Sequence, residues 1–178
     1  DVDFNSSSDR HLFNDIYKKI LSDLQSAGNA GEYYTPRAVT QFMVDIIDPK
    51  LGEKILDPAC GTGGFLTCAI SHLENQIKTA DDRKTLQETI HGVEKKPLPH
   101  MLALTNMMLH GIDVPTNIKH DNTLSRPLKD YSPKERVDIV ITNPPFGGME
   151  EDGIEKNFMK KYQTRETADL FMALIMHL

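Results

Sequence analysis

Two kinds of hydrophobic spacing alternate along the chain. Over residues 9–25, Leu12, Phe13, Ile16, Ile20 and Leu24 recur near the interval of an amphipathic helix. The Gly- and Asn-rich loop QSAGNAGEYYTP comes next. Pro36 then suits the first turn of a helix reaching about Ile47, with Thr35 as its N-cap. Beyond it, short apolar runs alternate with longer helical ones. KILDPA reads as a strand, GTGGFLTCAISHLENQI as a helix and TIHGVEK as a second strand. PLPHMLALTNMMLHG is a helix opened by prolines and stopped by Gly111, TNIKHDNT a third strand and VDIVITN a fourth. Strands separated by helices at this spacing predict right-handed crossovers and a parallel sheet covered on both faces, a doubly wound α/β domain. The continuously apolar VDIVITN reads as a central strand of that sheet. Finally, ADLFMALIMHL sets Leu170, Phe171, Leu174, Ile175 and Leu178 on one helical face.

Composition changes this picture only at its edges. With 178 residues, 39% hydrophobic and 26% charged, the chain is an ordinary globular domain in size and make-up. No apolar run approaches the roughly 18 residues of a membrane span, and no signal-peptide pattern opens the chain, so no membrane association is expected. Two cysteines, Cys60 and Cys68, suit neither a disulfide scaffold nor a metal site, and a reducing, cytoplasmic setting is the expectation. The net charge of -6 argues against unaided nucleic-acid binding, and the basic runs EKK and MKKYQTR are short. A nucleic-acid partner would need a local basic groove or a helper subunit. The start at Asp1 without a methionine and the apolar helical face at the other end point to a piece of a longer protein.

Candidate chemistry collects where such a sheet binds ligands, outside the carboxyl ends of its strands. After the first strand stands DPACGTGGF, residues 57–65. Its glycines allow close backbone approach, and the helix after them offers exposed amides to a negative group. The pattern is G-x-G-G after Asp-Pro, without the spacing of a dinucleotide site or the lysine of a P-loop, so a small ligand carrying a carboxylate fits better. Glu94 ends the second strand, where an acidic group can accept from both hydroxyls of a ribose; a solvated strand-end glutamate is the alternative. It lies further from the glycines than usual, and TADDRKTLQET supplies the extra length within a longer first helix and loop. At the third strand's end, Asp121 with Asn122 alongside either accepts from an adenine amino group or forms a simple Asx turn. After the fourth strand, Asn143, Pro144, Pro145 and Phe146 combine a carboxamide oxygen, a free carbonyl, a stiff turn and a flat face. Together they make a receptor for a planar ring bearing an NH2 group.

DPACGTGGF followed by NPPF resembles the amino-directed DNA methyltransferases that use S-adenosyl-L-methionine. GEYYTPRAVTQFMVDII, residues 31–47, narrows the resemblance to the modification subunit of type I restriction–modification systems. It covers the chain from about residue 12 onward and implies a Rossmann-like methyltransferase fold whose sheet is incomplete here. Residues 1–30 would then be a helical lead-in, and 31–178 a catalytic domain cut short at its C-terminal side. By position, Glu32, Tyr33, Tyr34, Thr35, Pro36 and Arg37 would wrap the methionine end of the cofactor. Asp57, Thr62, Gly63 and Gly64 would hold its amino acid portion, Glu94 its ribose, and Asp121 its adenine with Asn122 beside it. Asn143 to Phe146 would receive a target adenine flipped out of DNA. Cys60 would not act as a nucleophile, since Ala59 precedes it where cytosine-carbon enzymes carry Pro-Cys. The resemblance further implies a separate specificity subunit and a restriction (nuclease/translocase) subunit as partners. Alternative readings are a fused methylase–specificity enzyme, a protein-glutamine or RNA methyltransferase, a non-catalytic cofactor-binding assembly module, and an NAD-dependent enzyme.

Overall fold

The structure is a computed structural model that describes residues 35–178, together with Lys19. Apart from Lys19, the helix expected over 9–25 lies outside the described residues, as do Glu32, Tyr33 and Tyr34. Residues Thr35–Leu178 form one compact unit. Its elements are α1 (Arg37–Ile47), β1 (Ile55–Asp57), α2 (Gly64–Glu74), α3 (Ala80–Thr89), β2 (Ile90–Glu94), α4 (Pro97–Leu109), β3 (Ile118–His120), β4 (Ile139–Val140) and α5 (Thr167–Ile175). Short 3-10 turns fill the stretches on either side of β4.

All four strands are parallel, in the order β3-β2-β1-β4. The alternation of strand and helix therefore closes as expected. Three details differ. TADDRKTLQET is a helix of its own, α3, started by a reciprocal cap in which the Asp82 amide donates to Thr79 Oγ1 (3.1 Å) and the Thr79 amide to the Asp82 carboxylate (2.9 Å). Thr35 is not the N-cap of α1. Pro36 takes that position with no side-chain cap, because the Thr35 hydroxyl is engaged across the molecule. VDIVITN, expected at the centre, pairs with β1 alone and stands at an edge of the described sheet, so Ile139 and Val140 are only half-buried.

Parallel register aligns Ile55 with both Ile90 and Ile139, and Gly92 with Ile118. These isoleucines join the main core with Val44, Leu66, Ile70, Leu73, Leu86, Ala103 and Met107 from the four helices α1 to α4. α1 docks on α2 through Val44 and through a contact of Thr40 Oγ1 with Cys68 Sγ at 3.2 Å. A second cluster gathers Leu124, Leu128 and Phe158 around Leu170, Phe171 and Leu174 of α5, which is where the apolar C-terminal face packs. Cys60 belongs to the main core and its neighbour Ala59 packs on the second cluster. The loop after β1 is thus seated where the two cores meet.

Gly92 sits at the middle of this arrangement. A Cβ there would lie 3.0 Å from Leu66 Cδ1, 3.1 Å from Cys60 Sγ and 3.2 Å from Ile118 Cδ1. Overpacking of this kind costs about 1–3 kcal/mol. Gly92→Ala is therefore expected to lower the thermal midpoint by several degrees, read by circular dichroism, and an unchanged midpoint would contradict the packing described.

Candidate active site

Because the strands run in parallel register, with Asp57 beside Gly92 and Glu94 beside His120, all four candidate motifs emerge at one edge of the sheet. Asp57, the last residue of β1, is 1% exposed. Its carboxylate accepts from the Ala59 amide at 3.1 Å. The Thr142 hydroxyl lies against it, near enough to favour the ionised form but short of a hydrogen bond of good geometry. Burial dominates all the same. It pushes the Asp57 carboxyl up to about 7, with the charge of Glu94 adding to the rise and the Thr142 and Ala59 groups opposing it.

Glu94 is less buried and more heavily engaged. One carboxylate oxygen accepts from the Gly61 amide (2.9 Å) and the other from the Lys96 amide (2.7 Å). Each oxygen keeps a further lone pair. Around this carboxylate the strand-end loops are tied to one another. The Cys60 amide donates to the Val93 carbonyl at 3.0 Å, the Asp121 amide to the Glu94 carbonyl at 3.0 Å, and the Thr123 hydroxyl to the Pro58 carbonyl at 2.6 Å. Asn106, buried on α4, donates its amide to the Thr62 carbonyl at 2.9 Å and so holds the glycine loop from below. Gly61 and Gly63 have φ of +54° and +84°, values that glycine adopts without strain. A Cβ on Gly61 would meet nothing within 4 Å, so open space stands over the loop. Beside it the Thr62 hydroxyl is buried with no partner. The Cys60 thiol is buried next to Asp57 and Glu94, and burial first and those charges second push its pKa far upward. It is an inert thiol rather than a nucleophile.

At the end of the neighbouring strand β4, Asn143 Nδ2 donates to Thr35 Oγ1 at 3.0 Å. Pro144 is half-buried, Pro145 exposed, and the Phe146 ring 62% exposed at the strand-end edge. The ring stands clear of both cores, open to a stacking partner. Pro36 and Arg37 are exposed at the start of α1. Asp121 is exposed, and one carboxylate oxygen accepts from the Asn122 amide at 2.8 Å. Asn122 is engaged at both ends of its side chain, accepting from the Leu124 amide at 3.0 Å and donating to Glu150 at 3.0 Å. The Asx turn is thus made by Asn122 rather than by Asp121, for which it was the alternative, and Asp121 stays exposed.

Three positioning groups escape a reading by motif. Two are Thr123 and Asn106, which brace the loop after β1; Asn106, an amide inside the apolar run LALTNMML, carries a visible signal, since a buried polar group needs a partner. The third is Glu150. Its side chain is 11% exposed and takes Lys95, Asn122 and Thr167 as partners, at 3.3, 3.0 and 3.3 Å, tying the segment after the NPPF loop back to the ends of β2 and β3 and to α5. Among the described residues, no group of three His, Cys, Asp or Glu side chains is placed to hold a metal ion, and no helix is long and apolar enough to cross a membrane.

A glycine loop and an NPPF loop thus leave adjacent parallel strands at the same end. The model of the N-6 DNA methylases matches residues 8–178. The chain belongs to that family. It is 68% identical over 176 residues to the methylase subunit of the type I restriction enzyme EcoEI of Escherichia coli, covering 98% of this chain and 36% of that protein. A modification subunit assigned to a type I restriction enzyme of Vibrio vulnificus YJ016 superposes with a TM-score of 0.86 at 50% identity, covering 98% of this chain and 36% of that one. A chain from a study of type I restriction–modification complex assembly gives 0.86 at 41%, covering 99% and 36%. The chain thus spans about a third of the length of these N-6 DNA methylase relatives.

The buried Asp57 carboxyl has a consequence for stability. Its folded value near 7 lies above the ordinary carboxylate value of the unfolded chain. The folded form therefore holds a proton that the unfolded form has released, and this contribution is fully present below about pH 4 and fades as pH rises to 7. Denaturant titrations at pH 5 and pH 7.5 should show a loss of stability on raising pH that Asp57→Asn removes. An equal pH dependence in the two proteins would contradict the burial of this group.

Proposed function

We propose that the chain is the catalytic part of an adenine-directed DNA methyltransferase, moving a methyl group from S-adenosyl-L-methionine to the exocyclic amino group of adenine. The observation that carries this reading is the pairing of two receptors at one sheet edge. One is the seat formed by Asp57, the glycine loop and Glu94; the other is the exposed Asn143–Phe146 loop, which leaves the neighbouring parallel strand β4 at the same end. The compact unit Thr35–Leu178 would lie inside a catalytic domain beginning at about residue 31.

The residues present fit that cofactor. Open space over Gly61 and the partnerless Thr62 hydroxyl suit its amino acid portion, together with Asp57, Gly63 and Gly64. The lone pairs left on Glu94 suit two ribose hydroxyls, and the outward carboxylate of Asp121 suits an adenine amino group. Pro36 and Arg37, exposed at the start of α1, would stand at the methionine end. When bound, S-adenosyl-L-methionine supplies a methyl group already activated by its sulfonium charge.

The protein's own work is then alignment. Asn143 Oδ1 and the Pro144 carbonyl would accept hydrogen bonds from the two N–H groups of the target amine, drawing the nitrogen lone pair out of conjugation with the ring and toward the methyl carbon; on gaining the methyl the nitrogen would release one proton to solvent. Pro144 and Pro145 stiffen the loop, so little freedom is lost on binding. Phe146 would stack on the ring, an interaction of roughly 1–3 kcal/mol per base. The adenine must leave the duplex to reach this loop, at a few kcal/mol. Holding the two reactants in line lowers the barrier through proximity alone by several kcal/mol. No covalent intermediate is required, in keeping with the inert Cys60.

The names of the relatives describe subunits of type I restriction enzymes. By analogy we take this chain to act in the cytoplasm with a specificity subunit that reads the DNA and a restriction subunit. Its net charge of -6 supports delegation of sequence reading to a partner. In the full-length subunit assembled with its partners, Asn143→Ala is expected to abolish methyl transfer to DNA while S-adenosyl-L-methionine binds with unchanged affinity by calorimetry. Methylation at the parent rate would remove the role given to Asn143.

A further inference from the structure

The bond from Asn143 to Thr35 joins residues 108 positions apart, and neither its span nor its chemistry is accounted for by cofactor binding. Thr35 stands just before Pro36 and Asn143 just before Pro144. A proline in the next position keeps each backbone extended, and the β-branched threonine has few side-chain rotamers. Thr35 is also anchored by the helix on its C-terminal side. α1 begins two residues later, its first turn closed by the Val39 and Thr40 amides on the Pro36 carbonyl at 2.9 and 3.1 Å, and it is fixed to α2 through Thr40 and Cys68. The hydroxyl of Thr35 is thus a fixed point on a helix-bearing layer, facing a side chain carried by a strand-end loop.

A carboxamide has two unlike ends of nearly equal shape. If Asn143 is to accept from an amino group, its oxygen must face the incoming base and its nitrogen must point away. The nitrogen is the end that Thr35 takes, at 3.0 Å. We infer that Thr35 is a positioning residue for the target base: its hydroxyl accepts from Asn143 Nδ2 and thereby turns Oδ1 toward the amino group to be methylated. This rests on the proposed role of Asn143 as acceptor of the target amino group and assigns Thr35 to the base-receiving half of the site rather than to the cofactor's methionine.

The test uses the full-length subunit with its partners and compares Thr35→Val, Thr35→Ser and Asn143→Ala with the parent. Thr35→Val keeps the shape and loses the hydroxyl; Thr35→Ser keeps the hydroxyl. The single-turnover rate of DNA methylation at saturating S-adenosyl-L-methionine and DNA is expected to fall about tenfold in Thr35→Val, the worth of one hydrogen bond to a reacting group. In Thr35→Ser it should stay within about twofold of the parent, and the calorimetric affinity for S-adenosyl-L-methionine should be unchanged in both. A Thr35→Val rate equal to the parent's, a loss recovered by raising the S-adenosyl-L-methionine concentration, or a Thr35→Ser rate as low as that of Thr35→Val would each overturn the inference. If Asn143→Ala is inactive while Thr35→Val is not, only the role of Thr35 fails; if Asn143→Ala is active, the reading of the site fails with it.

Discussion

At the end of β2 one carboxylate accepts backbone amides from two different loops, Gly61 after β1 and Lys96 before α4. The rest of the site depends on this interaction. It fixes the glycine loop relative to the second strand, and the bonds from Cys60 to Val93, Asp121 to Glu94 and Thr123 to Pro58 extend the same tie across three strand ends. A loop with two glycines at positive φ would otherwise be free to sample many conformations. Held from below by Asn106 and from the side by Glu94, it presents one shape, and a ligand entering it finds the ordering already done.

The opposite half of the site is built by stiffness rather than by cross-links. Asn143 and its two prolines leave the edge strand β4 with few degrees of freedom, and the Asn143 amide donates to Thr35 on another layer. Phe146 remains exposed, which a core phenylalanine would not be. Two pre-ordered loops at neighbouring strand ends suit the proposed reaction, in which the donor would be already activated and the protein's task alignment. The Cys60 thiol fits the same picture, since burial keeps it protonated and without nucleophilic character.

Much of this is legible in the sequence because it is local. The strand and helix alternation, the proline-opened α4 and the Gly111 stop all depend on residues within a few positions of one another. The glycine loop and the NPPF loop are legible for the same reason. The features hidden from the sequence are long-range. Thr35 looks like an N-cap until a partner 108 residues away takes its hydroxyl. Asn122 looks like a companion of Asp121 until Glu150 takes its amide. VDIVITN reads as central because it is apolar, and within the described sheet it pairs with β1 alone, since strand order is a matter of which strands meet.

The most direct measurement is a crystal structure of the full-length subunit with S-adenosyl-L-methionine bound. The site geometry predicts the amino acid portion over Gly61–Gly64, both ribose hydroxyls on the Glu94 carboxylate, and the sulfonium methyl directed toward Asn143 and Phe146. A cofactor seated away from the Glu94 carboxylate, or with its methyl turned from the Asn143 loop, would contradict it.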